Sequence, residues 1–139
     1  MILKERKFFF EMYLIYFKEI TKSKTSNKKK ILTICSRVIF DLKKNILLIK
    51  FDEEIIGFFI ISYSRNISGN KVCYINDIFL KTNFRKKSFA YKVVKKFILA
   101  GRKKGIKQFR IEILKQNTKI MSFWNNFKPE EKSTNYIIN

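Results

Sequence analysis

One stretch limits what this chain can become, because between Val72 and Lys104 its apolar residues change period. Val72 to Leu80 is a β-branched and aromatic run of strand character. From Ser88 to Lys104, the residues Ala90, Val93, Val94, Phe97, Ile98 and Gly101 recur at helical spacing, with Gly105 as the stop signal. A short basic loop is all that separates the two periods. A strand feeding a long amphipathic helix this closely belongs to a layered α/β domain.

The flanking segments fit that frame. Apolar positions Phe9, Met12, Tyr13, Tyr16, Phe17 and Ile20 predict a helix over Lys7 to Ile20. A lysine-rich loop over Thr21 to Lys30 and a second short helix over Ile31 to Leu42 follow. Ile46 to Phe51 and Ile55 to Tyr63, separated by Asp52, Glu53 and Glu54, read as an antiparallel hairpin without a turn glycine. A loop over Ser64 to Lys71 leads into the Val72 strand. After the long helix, a strand is expected over Lys107 to Leu114, a short helix over Asn117 to Asn126, and a last strand at Tyr136 to Ile138 beyond Pro129. The expected architecture is α/β, a mixed β-sheet flanked by helices in a single domain spanning 1–139.

Composition removes several chemistries. The chain has no histidine, which excludes Ser-His-Asp and Cys-His nucleophiles, imidazole acid-base catalysis and His-containing metal sites. Cys35 and Cys73 cannot complete a four-thiolate zinc site, so no metal is expected, and both read as reduced thiols of a cytoplasmic protein. The run Ile55 to Ile61 is far short of the ~20 apolar residues that span a bilayer, so no membrane partner is expected. The net charge of +20 points towards polyanions. Lys, Ile, Asn, Phe and Tyr abound while Ala, Gly and Pro are scarce, the profile of AT-rich codons, so much of that charge reads as coding bias. Weak, non-specific nucleic-acid contact is the corresponding expectation.

The strand-to-helix junction, Ile78 to Ala90, carries the chemistry. Backbone N–H groups at a helix start, with Arg85, Lys86 and Lys87 beside them, form an anion site. The alternative is a solvated basic turn in which Ser88 is only an N-cap.

These residues extend into a pattern. Arg85-Lys86-Lys87-Ser88-Phe89-Ala90 matches Arg/Gln-x-x-Gly-x-Gly/Ala; beyond it come the strand Phe109 to Leu114, then Asn117, Phe123-Trp124 and Asn126-Phe127, and upstream lies the hairpin with Gly57 before Phe58. From Asn45 to Ile138 the chain resembles the GNAT superfamily of acetyl-CoA-dependent N-acetyltransferases. It departs at Ser88, where the family has the first loop glycine, and at Asn126, where glycine usually precedes phenylalanine and asparagine is the next-best residue at positive φ. The family's N-terminal strand is missing or is replaced by Met1 to Leu3.

The resemblance implies acetyl-CoA as co-substrate. Its pantetheine arm would bond to the main chain of Phe79 and Leu80 like an added strand. Its pyrophosphate would sit on amides from Lys86 to Ala90, with Arg85, Lys86 or Lys87 neutralising phosphate and Phe89 completing the loop. Asn117, which can equally be a helix N-cap, would hold the coenzyme, and Trp124 would pack beside the pantetheine channel. Asp77, or Glu112 on the next strand, would take the amine proton. The family's usual acid, a tyrosine, is replaced by Trp124, whose indole cannot protonate a thiolate, which leaves Tyr74 or Tyr91 as substitutes. The implied activity is acetyl transfer to a primary amine. The alternative is an inactive basic module of this fold binding RNA, ribosome or an acidic protein. An exposed edge at Tyr136 to Ile138 would suit a homodimer.

Overall fold

The computed structural model describes residues 3–21, 27–112, 123–127, 130–132 and 135–138. Its elements are α1 (Leu3–Thr21), α2 (Lys28–Phe40), β1 (Asn45–Phe51), β2 (Glu54–Arg65), β3 (Lys71–Leu80), a 3-10 turn (Thr82–Phe84), α3 (Lys87–Lys103), β4 (Gln108–Glu112), β5 (Glu130–Lys132) and β6 (Asn135–Ile138). The sheet has six strands in the order β1-β2-β3-β4-β6-β5. It is mixed: β4 runs parallel to β3, with Val72 to Ile75 opposite Gln108 to Ile111, and antiparallel to β6. The α/β expectation therefore holds. Backbone contacts divide the chain into two compact units, 1–60 with 77–81 and 61–76 with 82–139.

In the first unit, α1 begins at Leu3, so Leu3 is helical and cannot extend a first strand; residues 1–2 lie outside the described set. α2 starts at Lys28, inside the expected loop, because the Asn27 side chain accepts from Lys29 N at 3.0 Å and caps it. The β1–β2 hairpin turns on Asp52 and Glu53 at φ 47° and 66°, the left-handed pair a two-residue turn needs and which Asn-Gly usually supplies. Phe9, Met12, Tyr13, Ile31, Cys35, Phe58, Ile60 and Phe79 form the core. Phe58 sits at its centre, edge-on to Phe9 at 4.9 Å and stacked on Phe79 at 5.4 Å. Gly57 lets the backbone close: a Cβ there would lie 2.1 Å from the Phe79 carbonyl oxygen, and next to it Lys81 N donates to Ile56 O at 2.8 Å.

In the second unit, α3 buries Val94 and Ile98. Gly101 faces Phe109 of β4 so closely that a Cβ would come within 2.7 Å of the ring. Lys104 caps the helix and Gly105 follows at φ +90°, which turns the chain into β4. Phe109 and Ile111 are buried, as the alternation predicts; residues 113–122, including Asn117, lie outside the described set. Of the expected Asn117 to Asn126 helix, 123–125 are helical and 126–127 turn. β5 is an addition that its sequence Glu-Glu-Lys, without apolar alternation, does not announce. It also corrects the edge assignment. β6 is paired on both sides, and β1 and β5 are the outer strands, so Tyr136 to Ile138 offers no open edge to a second copy.

Candidate coenzyme and acceptor residues

The chain leaves β3, makes the 3-10 turn and enters α3 through Arg85 and Lys86. Lys86 is the N-cap at φ −60° and ψ 132°, and it makes no side-chain capping bond. Ser88 is therefore not the cap. It is the second helical residue and is exposed, because the helix starts one residue earlier than its apolar period suggests. The first backbone bond of the helix runs from Ala90 N to Lys86 O at 3.0 Å, so the amides of Lys87, Ser88 and Phe89 precede it. The first turn contains no acidic residue to complement the helix dipole. Phe84 packs against Phe89 at 5.7 Å and ties the turn to the helix start.

Ser88 opens onto a groove of about 810 Å³, lined with Tyr91, Lys92, Lys95 and Asn126. Steps of three and four from Ser88 place these α3 residues on one face. A narrower hollow of about 190 Å³ adjoins it through Tyr91, Lys95 and Asn126 and reaches Arg102. The Tyr91 ring is stacked on Phe127 at 4.8 Å, with the Lys95 ammonium 5.8 Å from the ring centre. Two ammonium groups, a hydroxyl, an amide and an aromatic face form a donor set suited to a phosphorylated nucleoside. Of the expected loop residues, Ser88 thus comes together with Tyr91, Lys92, Lys95 and Asn126, which the sequence does not mark as a group. For the three residues of α3 the signal was available in their spacing from Ser88.

Trp124 is 3% exposed and packs edge-on to Phe123 at 5.2 Å and against Phe127 at 5.6 Å. It is a core ring. Asn126 does not adopt positive φ, as expected for a glycine substitute; Asp52 and Glu53 are the positive-φ residues other than glycine among those described. Instead its Nδ2 donates to Phe123 O at 2.9 Å and closes the turn, a bond that glycine could not make.

The two expected catalytic residues each have a different partner. Asp77, half-buried in the first unit, accepts a hydrogen bond at Oδ1 from the Tyr16 hydroxyl. Burial, with Asp77 adding to it, pushes the Tyr16 phenol far above its ordinary range, so it stays a donor. Tyr13 is pushed up to about 12 by burial first and Asp77 second. The sequence marks Tyr16 only as core, since a tyrosine on an apolar helix face gives no sign of the carboxylate that it meets. In the second unit Tyr74 Oη accepts from Arg110 Nη1 at 3.0 Å, its direct cross-strand neighbour. Glu112, the other base candidate, is exposed at the end of β4. Phe79 and Leu80 are buried at the end of β3, beyond the stretch in register with β4. Burial raises the Cys35 and Cys73 thiols to about 11 and about 12, so neither is poised as a nucleophile.

The model of the acetyltransferase (GNAT) family matches residues 8–127. This chain belongs to the GNAT acetyltransferase family. The match takes in α2 and most of α1, which the motif resemblance from Asn45 onwards did not reach. Solved structures of acetyltransferases share the fold at low identity. One, of a probable acetyltransferase, is 17% identical over 96% of this chain and 89% of that one, with a TM-score of 0.75. The PaiA N-acetyltransferase of Thermoplasma acidophilum, solved with coenzyme A, is 20% identical over 99% and 92%, at a TM-score of 0.64. An aminoglycoside acetyltransferase from an uncultured soil metagenomic sample, solved with sisomicin, is 15% identical over 88% and 82%, at 0.65. No curated protein matches the chain.

Proposed function

We propose that this GNAT chain transfers an acetyl group from acetyl-CoA to a primary amine. The observation that carries the reading is the start of α3: a helix N-terminus with no side-chain cap and no acid, opening through Ser88 onto a groove with Lys92 and Lys95. Such a terminus favours an anion, and the groove supplies countercharge for further phosphate. The residues present fit coenzyme A. The amides of Lys87 to Phe89 and the Ser88 hydroxyl would hold the pyrophosphate, with Arg85 and Lys86 beside them. Lys92, Lys95, Tyr91 and Asn126 would take the nucleoside part. Phe79 and Leu80 would bond the pantetheine through their main chain, Asn117 would add a side-chain amide, and Trp124 would support the channel from the core.

Bound acetyl-CoA supplies the activated acetyl thioester. The chain supplies the proton traffic. Asp77, fixed at Oδ1 by Tyr16, keeps Oδ2 to accept a proton from the acceptor ammonium. Tyr74, held by Arg110, keeps its hydroxyl proton to donate to a departing group. The charge of +20 disfavours polyamines and lysine-rich tails as acceptors.

One observation favours a second reading, a coenzyme-binding module without turnover. Trp124 stands in place of the usual acid, and its ring is buried. Calorimetry with coenzyme A, followed by thiol-release assays with acetyl-CoA and a panel of amines, separates the readings. Binding with turnover supports acetyl transfer, binding without turnover supports the module, and absence of binding overturns both.

A further inference from the structure

The cations of this chain are not evenly spread. Residues 78–111 contain twelve Lys and Arg and no Asp or Glu. Coding bias raises lysine throughout, but it does not clear one helix of acids while α1, of similar length, keeps Glu5, Glu11 and Glu19. On α3 the residues Lys92, Lys95, Lys96, Arg102 and Lys103 are all exposed. At about 100° per residue they fall within an arc of about 120°, opposite buried Val94 and Gly101. From Lys92 to Lys103 the stripe rises about 16 Å. Exposed Lys104 and Lys107 follow at the helix end.

We infer that this face of α3 is a docking surface for the phosphate backbone of a nucleic acid. The chemistry of the stripe selects that partner. It contains donors with no carboxylate among them, and a polyanion of uniform charge density is its complement. A protein partner would need apolar or aromatic anchors, and protein interfaces are depleted in lysine; the stripe offers Leu99 alone. The same lack of apolar side chains argues against a lipid surface. The stripe shares Lys92 and Lys95 with the proposed coenzyme groove and Arg102 with the hollow beside it, but Lys96, Lys103 and Lys104 line neither. The inference therefore stands apart from the acetyl-transfer reading.

Fluorescence anisotropy with a labelled single-stranded RNA of about 20 nucleotides tests it in the full chain. With five phosphate contacts at about 0.7 counterions each, affinity should fall about a hundredfold between about 50 and about 200 mM salt. The triple variant Lys96→Gln, Lys103→Gln, Lys104→Gln removes two of the five stripe cations and should reduce that fall to about twentyfold. The matched triple at the exposed start of α2, Lys28→Gln, Lys29→Gln, Lys30→Gln, removes the same charge and should leave the salt slope at the parent value. Circular dichroism melts verify that both fold. Equal loss of slope from the two triples would mean that charge acts generically and would overturn the inference, as would absence of RNA binding at the lower salt. Tighter binding to polyglutamate than to RNA would assign the face to an acidic protein and also overturn it. Coenzyme A calorimetry on the same variants reports on the other proposal independently.

Discussion

Replacing Gly57 by alanine tests whether the backbone approach between β2 and β3 sets the stability of the first unit. A Cβ there would lie 2.1 Å from the Phe79 carbonyl oxygen and 3.0 Å from a Leu80 methyl. The oxygen belongs to the backbone, so relief requires the strands to part by about 1 Å, since non-bonded heavy atoms reach their optimum near 3.5 Å. Overpacking of this kind costs about 1–3 kcal/mol, and loss of the adjacent 2.8 Å bond from Lys81 N to Ile56 O adds about 1 kcal/mol. At roughly 3–4 °C per kcal/mol for a chain of this size, the melting temperature should drop by roughly 6–16 °C. Gly69→Ala is the control. Nothing lies within 4 Å of its Cβ, but φ is +80°, so it reports the conformational cost alone, about 1 kcal/mol. Thermal melts of the three proteins give the comparison, and calorimetry should show weaker coenzyme A binding by Gly57→Ala, because Phe79 and Leu80 move. A Gly57→Ala melt no lower than that of Gly69→Ala would refute the steric argument.

Four further outcomes are expected. Ser88→Gly should keep or tighten coenzyme A binding, whereas Ala90→Glu should abolish it by bulk and charge; calorimetry showing both at the parent affinity would place the site elsewhere. Trp124→Ala should cost about 3–5 kcal/mol in a chemical melt while Trp124→Phe keeps most activity, as a packing role requires; loss of turnover in a well-folded Trp124→Phe would refute it. Tyr16→Phe removes the donor to Asp77 and should lower turnover while leaving coenzyme A affinity unchanged; unchanged turnover would remove Asp77 from the mechanism. The buried thiols titrate high in the folded chain, so their contribution to stability is full below about pH 9, where an unfolded thiol ionises, and is lost as pH rises towards 11–12. Melts from pH 7 to 12 should therefore show a shallower alkaline decline in Cys35→Ala and Cys73→Ala; slopes equal to the parent's would refute it.

Much of the fold was legible because periodicity and burial coincide. α3 and β4 were read from Val94, Ile98, Phe109 and Ile111, which are buried as their spacing predicts. The hairpin was read without its turn glycine because the flanking β-branched runs outweigh the strain at Asp52 and Glu53. What escaped had no periodic signal. β5 is three charged residues whose role comes from pairing with β6, a tertiary fact. The cap at Lys86 is set by backbone geometry and uses no side chain, which is why Ser88, the better capping residue, was the natural misreading. Of the candidate site, the loop from Arg85 to Ala90 stands out in the sequence by its motif. The contact between Tyr16 and Asp77 spans 61 positions, and no local pattern encodes a bond of that separation.

The strand order has a kinetic side. β4 takes one neighbour, β3, from upstream and the other, β6, from downstream, where pairing starts at Asn135. During synthesis at about 5–20 residues per second, the stretch between Glu112 and Asn135 takes about 1–5 s to appear. Until then the strand bearing Phe109 and Ile111 presents an unpaired edge to the surroundings. A ribosome stalled in that stretch, or a nascent chain cut there, would hold the protein in its most aggregation-prone form, with α3 already able to pack and the sheet still open.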